Sequence, residues 1–448
     1  MYLKREILAE LEQWKNNPNR KPLILRGARQ VGKTTAVHMF AEKFDHYIYL
    51  NLEKEEDKNL YEQTGSFQEF LEAIFFAKKI PKSQRQTLIF IDEIQSSPKT
   101  VAMLRFFKEE APQLFVIVAG SLLETLMNVH ISFPVGRVEY RYLYPMTFRE
   151  FLWAANEAEL LEFLHSGTIP TFAHNALLKQ FHRYTLIGGM PEVVKDYVEN
   201  KDLTSLAPIY EALLTSYLDD VEKYAPNISL RQVLRHCIRS SFFEAGKRIK
   251  FQGFGQSNYR SREVGEALRT LEKAMLLTLI YPTTSTKLPL TPNLKKSPKL
   301  HVLDTGLINY FVGLQEEIFR TPLIDSIYEG RIAEHIAGQE LLARRHSRVQ
   351  PLVFWTREKK QSTAEVDYLV PYKQIALPIE VKSGKAGRLR SLHLFMDQTE
   401  HPYAMRVHSG PLSVDEVHTI GGKKFNLINL PFYLLGSWQN VAEEIIRL

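Results

Sequence analysis

The sequence predicts an α/β fold, and over residues 1–150 it predicts a parallel sheet packed between helices. Three observations lead there. Four apolar runs read as buried strands: LILRG (Leu23–Gly27), YIYLNL (Tyr47–Leu52), TLIFIDE (Thr87–Glu93) and LFVIVAGS (Leu114–Ser121). Helical stretches separate them, which is the βαβ order of a parallel sheet. A glycine-rich turn joins the first run to the helix after it, where such sheets bind phosphate.

At 448 residues the chain exceeds one ordinary domain, and at roughly 150 residues per domain about three are expected. Its 44% hydrophobic and 24% charged residues exclude a disordered chain, a collagen and a coiled-coil rod. The longest apolar stretches, Leu114–Ala119 and Ala274–Ile280, fall far short of the ~20 residues that span a bilayer, so no membrane partner is expected. The start, MYLKREILAE, has no apolar core of the signal-peptide kind. One cysteine, Cys237, makes neither an internal disulfide nor a cysteine-based zinc site, and a reducing cytoplasm is the expected compartment. The histidines have no strong metal-ligand spacing and read as structural or surface residues.

Along the chain the pattern divides at 1–150, 151–225, 226–315 and 316–448. The second region is helical, and the third mixes short helices with a Pro/Thr/Lys-rich stretch. In the fourth, a long helix (Ile327–Arg345) precedes strand-like runs at Leu352–Trp355, Val366–Val370 and Ile375–Val381.

The turn Gly27-Ala28-Arg29-Gln30-Val31-Gly32-Lys33-Thr34 matches G-x-x-x-x-G-K-[ST], with Thr35 beside it. Its glycines let backbone N–H groups turn toward phosphate oxygens, and the helix N-terminus adds partial positive charge. Lys33 can reach the β- and γ-phosphates of ATP, and the Thr34 hydroxyl can ligate Mg²⁺. In Leu88–Glu93 four apolar residues make a buried strand that ends in two carboxylates. Asp92 is expected to hold Mg²⁺, and Glu93 to orient and deprotonate the attacking water.

The net charge of +6 is mild, but its distribution is uneven. Residues 228–275 hold ten basic residues against four acidic ones, and 286–300 add Lys287, Lys295, Lys296 and Lys299 with no acid. Such a zone suits a polyanion such as DNA, or else is a solvated face. Within it, Leu230–Phe243 and Tyr259–Leu277 read as helices. The second has Val264, Leu268, Leu271 and Met275 on one side. Thr278–Leu290 then alternates as a small hairpin with prolines. Helix, turn, helix and hairpin is a winged-helix order. Arg260, Arg262 and Arg269 would lie on or near the groove-reading helix, and Lys287, Lys295 and Lys296 near the wing. A packing module within an ATPase assembly is the alternative.

GARQVGKTT, IFIDEIQ, AGS, FPVGRVEYRYLYPMTFREF, IGGMPEVV, PKLHVLDTGL, AEVDYLV and IEVKSG occur in that order. Together they resemble a prokaryotic family of AAA+-type, STAND-like ATPases with a C-terminal domain of unknown function. The resemblance implies a P-loop NTPase core (1–150), a helical lid with the GGMP motif (151–225), a winged helix (226–315) and a restriction-endonuclease-like PD-(D/E)XK domain (316–448). It implies that Ser121 senses the γ-phosphate, although a helix N-cap serves equally well for a serine there. Arg137 would reach a γ-phosphate of its own or a neighbouring subunit, within a homo-oligomer, or is a surface arginine. Pro191, in Gly188-Gly189-Met190-Pro191, would pack on adenine.

In the fourth region alternate strand residues share a face, so Glu365 with Asp367, and Glu380 with Lys382, point together. An acid followed by E-x-K is the PD-(D/E)XK pattern. Asp367 and Glu380 would hold Mg²⁺, Lys382 would activate water or stabilise the phosphate, and Glu334 would be the helical acid. The domain then either cleaves DNA or is a catalytically silent relic. The expectation is an ATP-Mg²⁺-dependent ATPase that couples hydrolysis to DNA binding, with or without cleavage. The alternative is a nucleotide-gated switch or scaffold that acts through protein partners.

Overall fold

The computed structural model describes residues 2–81, 86–120, 136–166, 169–225, 227–314, 330–344, 350–357, 364–382 and 389–446. They form two compact units, residues 1–144 with 273–275, and residues 145–272 with 276–448.

In the first unit the elements run α1 (Ile7–Asn16), β1 (Leu23–Arg26), α2 (Lys33–Ala41), β2 (His46–Asn51), α3 (Glu55–Glu62), α4 (Phe67–Ala77), β3 (Thr87–Asp92), α5 (Pro98–Glu110), β4 (Phe115–Gly120) and β5 (Glu139–Tyr142). The five strands are parallel, in the order β2-β3-β4-β1-β5. β1, β3 and β4 are buried along their whole length, which is why they read as continuous apolar runs. Ile24, Ile89, Ile91, Val116 and Val118 pack with Phe70, Ile74, Leu104 and Phe107. Local signals set the helix starts: the Ser66 side chain caps α4, and Ser97 with Pro98 opens α5. β5 has no counterpart among the expected strands. Its EYRY is half-buried at a sheet edge and carries no apolar run.

The second unit begins with α6 (Phe148–Ala154), α7 (Ala158–Ser166), α8 (Thr171–Ile187), α9 (Pro191–Asn200), α10 (Ala207–Tyr224), α11 (Ile228–Glu244) and α12 (Ser261–Lys273). β6 (Leu277–Thr283), β7 (Lys299–Val302), α13 (Thr305–Phe311) and the helix Arg331–Ala343 follow. The remaining strands are β8 (Val353–Thr356), β9 (Glu365–Tyr372), β10 (Ile375–Val381), β11 (Tyr403–His408), β12 (Ser413–His418) and β13 (Lys424–Pro431). They join β6 and β7 in an eight-stranded mixed sheet, ordered β12-β13-β11-β10-β9-β8-β6-β7.

Two expected elements differ. β6 pairs antiparallel with β7, across fifteen intervening residues, rather than in a hairpin closed by residue 290. Burial decides the partner: Leu300 and Val302 are fully buried opposite Leu279 and Leu277, whereas residues 284–290 are exposed or half-buried. The helix expected over 327–345 is present as Arg331–Ala343, and residues 327–329 and 345 lie outside the described residues. Among the described residues no helix is long and apolar enough to cross a membrane.

Candidate functional site

β1 delivers the chain to the phosphate loop, and α2 leaves from it. Gly32 sits at φ +93°, the left-handed turn that lets Lys33 start α2. Lys33 is buried, and its ammonium donates to the carbonyls of Gly27 (3.0 Å) and Ala28 (2.9 Å). The Thr34 hydroxyl donates to Asp92 Oδ2 at 2.7 Å. β3 places Asp92 there, two strands from β1 in the sheet. Two hard oxygen ligands therefore meet beside a lysine at a helix N-terminus. That donor set fits Mg²⁺ and a nucleotide phosphate, and Thr34 and Asp92 are the residues that would hold the ion. Arg29 is half-buried in the loop, and Gln30 and Thr35 are exposed.

Glu93 follows in a left-handed conformation (φ +51°), rare for a residue with a side chain. Gln95 Nε2 donates to Glu93 Oε2. Burial pushes the Glu93 carboxyl above the usual carboxylate range, the Gln95 hydrogen bond pulls it down, and the Asp92 charge raises it further. A base with raised affinity for a proton suits abstraction from water.

A residue the sequence did not single out braces the loop. Arg5 is buried, and its two terminal nitrogens donate to the carbonyls of Val31 and Tyr144, each at 2.7 Å. The planar guanidinium offers a separate nitrogen to each acceptor, a fixed fork that a lysine ammonium lacks. Arg5→Ala is expected to lower the stability of the first unit by about 2–3 kcal/mol and to weaken ATP binding, with Arg5→Lys close behind. Isothermal titration with ATP beside denaturant unfolding checks this, and unchanged ATP affinity in both variants would remove Arg5 from the site.

Ser121 lies outside the described residues; Gly120, before it, ends β4. Arg137 is placed away from the phosphate loop. It is exposed and ion-paired with Glu109 at 2.9 Å. Glu139, two residues on, pairs with Leu23 at the start of β1, whereas the loop leaves the other end, where Arg26 pairs with Tyr142. Those three residue steps cover roughly 10 Å of strand. Arg137 does not reach the γ-phosphate site of its own chain, which corrects that half of the expectation.

In the second unit, Pro191 is the first residue of α9, and its GGMP turn is clamped. Gly189 N donates to Asp304 Oδ2 at 2.6 Å, and Met146 N donates to the Gly189 carbonyl at 2.6 Å. Tyr184 bridges the Met146 carbonyl and Glu340, and Glu340 also accepts from Phe148 N. Asp304 is fully buried; burial raises its carboxyl to about 6, against the pull of the Gly189 and Leu307 amides. Asp304 and Glu340 escaped notice because isolated acids in helical or loop sequence carry no periodic signal.

The C-terminal acids converge, as their strand parity implies. Glu380 and Lys382 form an ion pair at 2.7 Å, and Asp367 Oδ2 accepts from Val381 N at 2.8 Å. The cluster holds a group the sequence did not point to, Lys299 at the start of β7. Its ammonium lies 3.2 Å from Glu334, 2.7 Å from Glu365 and 3.3 Å from Asp367. Burial opposes the lysine charge, but Asp367, Glu334 and Glu365 outweigh it and hold Lys299 well above the usual lysine range. Burial and then Asp367 raise Glu334 to about 7 and Glu380 to about 8. Among the described residues no three His, Cys, Asp or Glu side chains are arranged to hold a metal ion. Glu334, Asp367 and Glu380 thus do not fit the Mg²⁺ expected of them, because an ammonium stands among their oxygens.

Residues 19–152 match the family model of an AAA domain. Residues 178–318 and 329–433 match two domains of unknown function, DUF8612 and DUF4143. An uncharacterized protein of Haemophilus influenzae is 23% identical over 418 residues, 88% of this chain and 91% of that one. Among solved structures, a Walker-type ATPase of Pyrococcus abyssi is similar with 15% identity, covering 70% of this chain and 96% of that chain, at a TM-score of 0.45. The Aeropyrum pernix ORC1 protein, solved in complex with DNA, shares 12% identity over 71% of this chain and 95% of that chain, at a TM-score of 0.31. The AAA match spans the phosphate loop and the acidic strand, so the N-terminal part is an ATPase domain of the P-loop class.

Proposed function

We propose that this P-loop ATPase hydrolyses ATP with Mg²⁺ and that its nucleotide state governs contact with DNA through a basic face of the second unit. The observation that carries the hydrolysis reading is the meeting of Thr34 and Asp92 at 2.7 Å beside Lys33, with Glu93 next in the chain. In this reading Lys33 and the loop amides bind the phosphates, and Glu93 takes the proton of the attacking water. Mg²⁺, when bound, supplies charge neutralisation on the phosphates. Ser121 senses the γ-phosphate, and Pro191 packs on adenine. Arg137, remote from its own loop, serves only a neighbouring subunit of a homo-oligomer.

The DNA reading rests on exposure and element order. Arg235, Arg239, Arg260, Arg262, Arg269, Lys287, Lys295 and Lys296 are all exposed, while Val264, Leu268 and Leu271 turn inward from α12. The order of two helices and then two strands, α11, α12, β6 and β7, supports a winged-helix reading, although β6 also pairs with β8 in the larger sheet. Contacts of this kind give salt-dependent, sequence-tolerant affinity. Changing Arg260, Arg262 and Arg269 together to Ala is expected to weaken duplex binding and flatten the slope of log K against log salt by up to about three units. Fluorescence anisotropy at several salt concentrations measures this. Unchanged affinity would take the contact off this face.

A second reading, a nucleotide-gated switch acting through protein partners with a silent C-terminal domain, is favoured by the lysine among the carboxylates. Steady-state turnover with and without duplex DNA separates the two. Stimulation by DNA supports the first, and indifference to any nucleic acid supports the second.

A further inference from the structure

The C-terminal carboxylate cluster contains its own cation. Lys299 is only 7% exposed, and the oxygens around its ammonium come from the helix Arg331–Ala343 and from β9. An ammonium has three N–H donors, and three carboxylates surround this one. The fourth acid, Glu380, has a separate cation in Lys382, while its Oε2 is buried without a hydrogen-bond partner.

A divalent ion and this ammonium exclude one another. Mg²⁺ or Mn²⁺ draws its oxygens in to about 2.1 Å, whereas the Lys299 contacts span 2.7–3.3 Å. Two cations sharing buried oxygens would also repel one another strongly. The lysine has no water to retreat to, because the side chain is buried and its ammonium lies over the Phe354 ring at 5.1 Å. Without it, three carboxylates would face one another having lost the cation they share, with Glu365 keeping only its 3.5 Å pair with the more exposed Arg248, which is costly for buried groups.

We infer that Lys299 is the resident cation of the Glu334, Glu365, Asp367 and Glu380 cluster, standing in for a divalent metal, so that the domain folds without one there. The inference goes beyond the ATPase reading and does not depend on it. It also separates two roles that the E-x-K pattern merges. Lys382 neutralises Glu380 on the same strand, whereas the charge at the centre comes from β7, 81 positions before Glu380 in the chain.

The test titrates nucleotide-free protein with Mn²⁺, read by the loss of the free-ion paramagnetic resonance signal and by thermal unfolding. Wild type is expected to show no Mn²⁺ site that Asp367→Asn or Glu380→Gln removes, and no rise in melting temperature. Lys299→Met is expected to melt about 5–10 °C lower and to recover part of that loss in Mn²⁺, as a ligand that binds only the folded state requires. Asp367→Asn in the Lys299→Met background should abolish the recovery. Mn²⁺ bound by wild type and lost in Asp367→Asn overturns the inference, as does a Lys299→Met protein as stable as wild type and indifferent to Mn²⁺. Should Lys299→Met not fold, the wild-type and Asp367→Asn titrations decide the question on their own.

Discussion

Replacing Glu93 by Gln is expected to lower ATP turnover by about 10²–10⁴-fold, the usual contribution of a general base, while ATP still binds. The amide keeps the shape of the side chain and accepts no proton. The groups that would hold the nucleotide, Lys33, Thr34 and Asp92, are untouched by this change, so ATP should be trapped rather than lost. Lys33→Ala should instead lose binding and turnover together, because the cation at the phosphates is gone. Burial raises the Glu93 carboxyl, so the base protonates at a higher pH than an ordinary glutamate, and the wild-type rate should fall on acidification before exposed carboxylates titrate. Single-turnover hydrolysis with a parallel nucleotide-binding titration reads both quantities. Wild-type turnover by Glu93→Gln would place the base elsewhere.

The second large effect is on stability. Gly188→Ala is expected to cost about 3–5 kcal/mol, the sum of a left-handed backbone and an overpacked interior. Gly188 has φ +76°, and a Cβ built there would meet Asp304 Oδ1 at 2.1 Å. The carboxylate cannot step aside, because Gly189 N and Leu307 N donate to it. Gly136 is the control: it has the same φ of +76° and nothing within 4 Å, so Gly136→Ala pays the backbone strain alone. Urea unfolding midpoints of the two variants should differ clearly, and equal midpoints would mean that the Asp304 clamp yields. The same carboxyl adds a pH term. Its folded value of about 6 exceeds its ordinary 3.8, so its contribution to stability is full below 3.8 and is lost as pH rises through 6. The difference between wild type and Asp304→Asn over that window isolates it from the buried histidines His301 and His408, whose lowered values act with the opposite sign.

What the sequence made legible follows from which signals are local. The phosphate loop, Asp92 and the buried strands β1, β3 and β4 each show in a stretch of under ten residues, and the structure has them where periodicity and spacing put them. β5 was hidden because EYRY at an edge has no apolar run, and the true side of the sheet for Arg137 was hidden with it. The partner of β6 was misplaced because burial of Leu300 and Val302, not nearness in sequence, selects it. Lys299 reads in the sequence as one more charge of the basic zone, suited to a polyanion or a solvated face, since a lysine beside Pro298 gives no sign of burial. Its partners lie 35 to 68 positions away in the chain, beyond any local pattern. Arg5 escaped for the same reason: its acceptors, Val31 and Tyr144, are backbone atoms, which leave no trace in side-chain identity.

β6 belongs to two ladders at once, antiparallel to β7 and parallel to β8. A fragment beginning at residue 316 would therefore inherit β8 with one flank stripped. The amides and carbonyls of Val353–Thr356 would become an open template for strands of other molecules. The native rim at β12 is protected against this, with exposed Asp415 and Glu416 along SVDEVH, while the VFWT of β8 carries no charge to repel a stranger. The same cut would discard Lys299 and leave its acids behind. The matched regions end at 318 and resume at 329, yet the piece that could be transplanted between proteins without aggregating starts further back, ahead of Leu277.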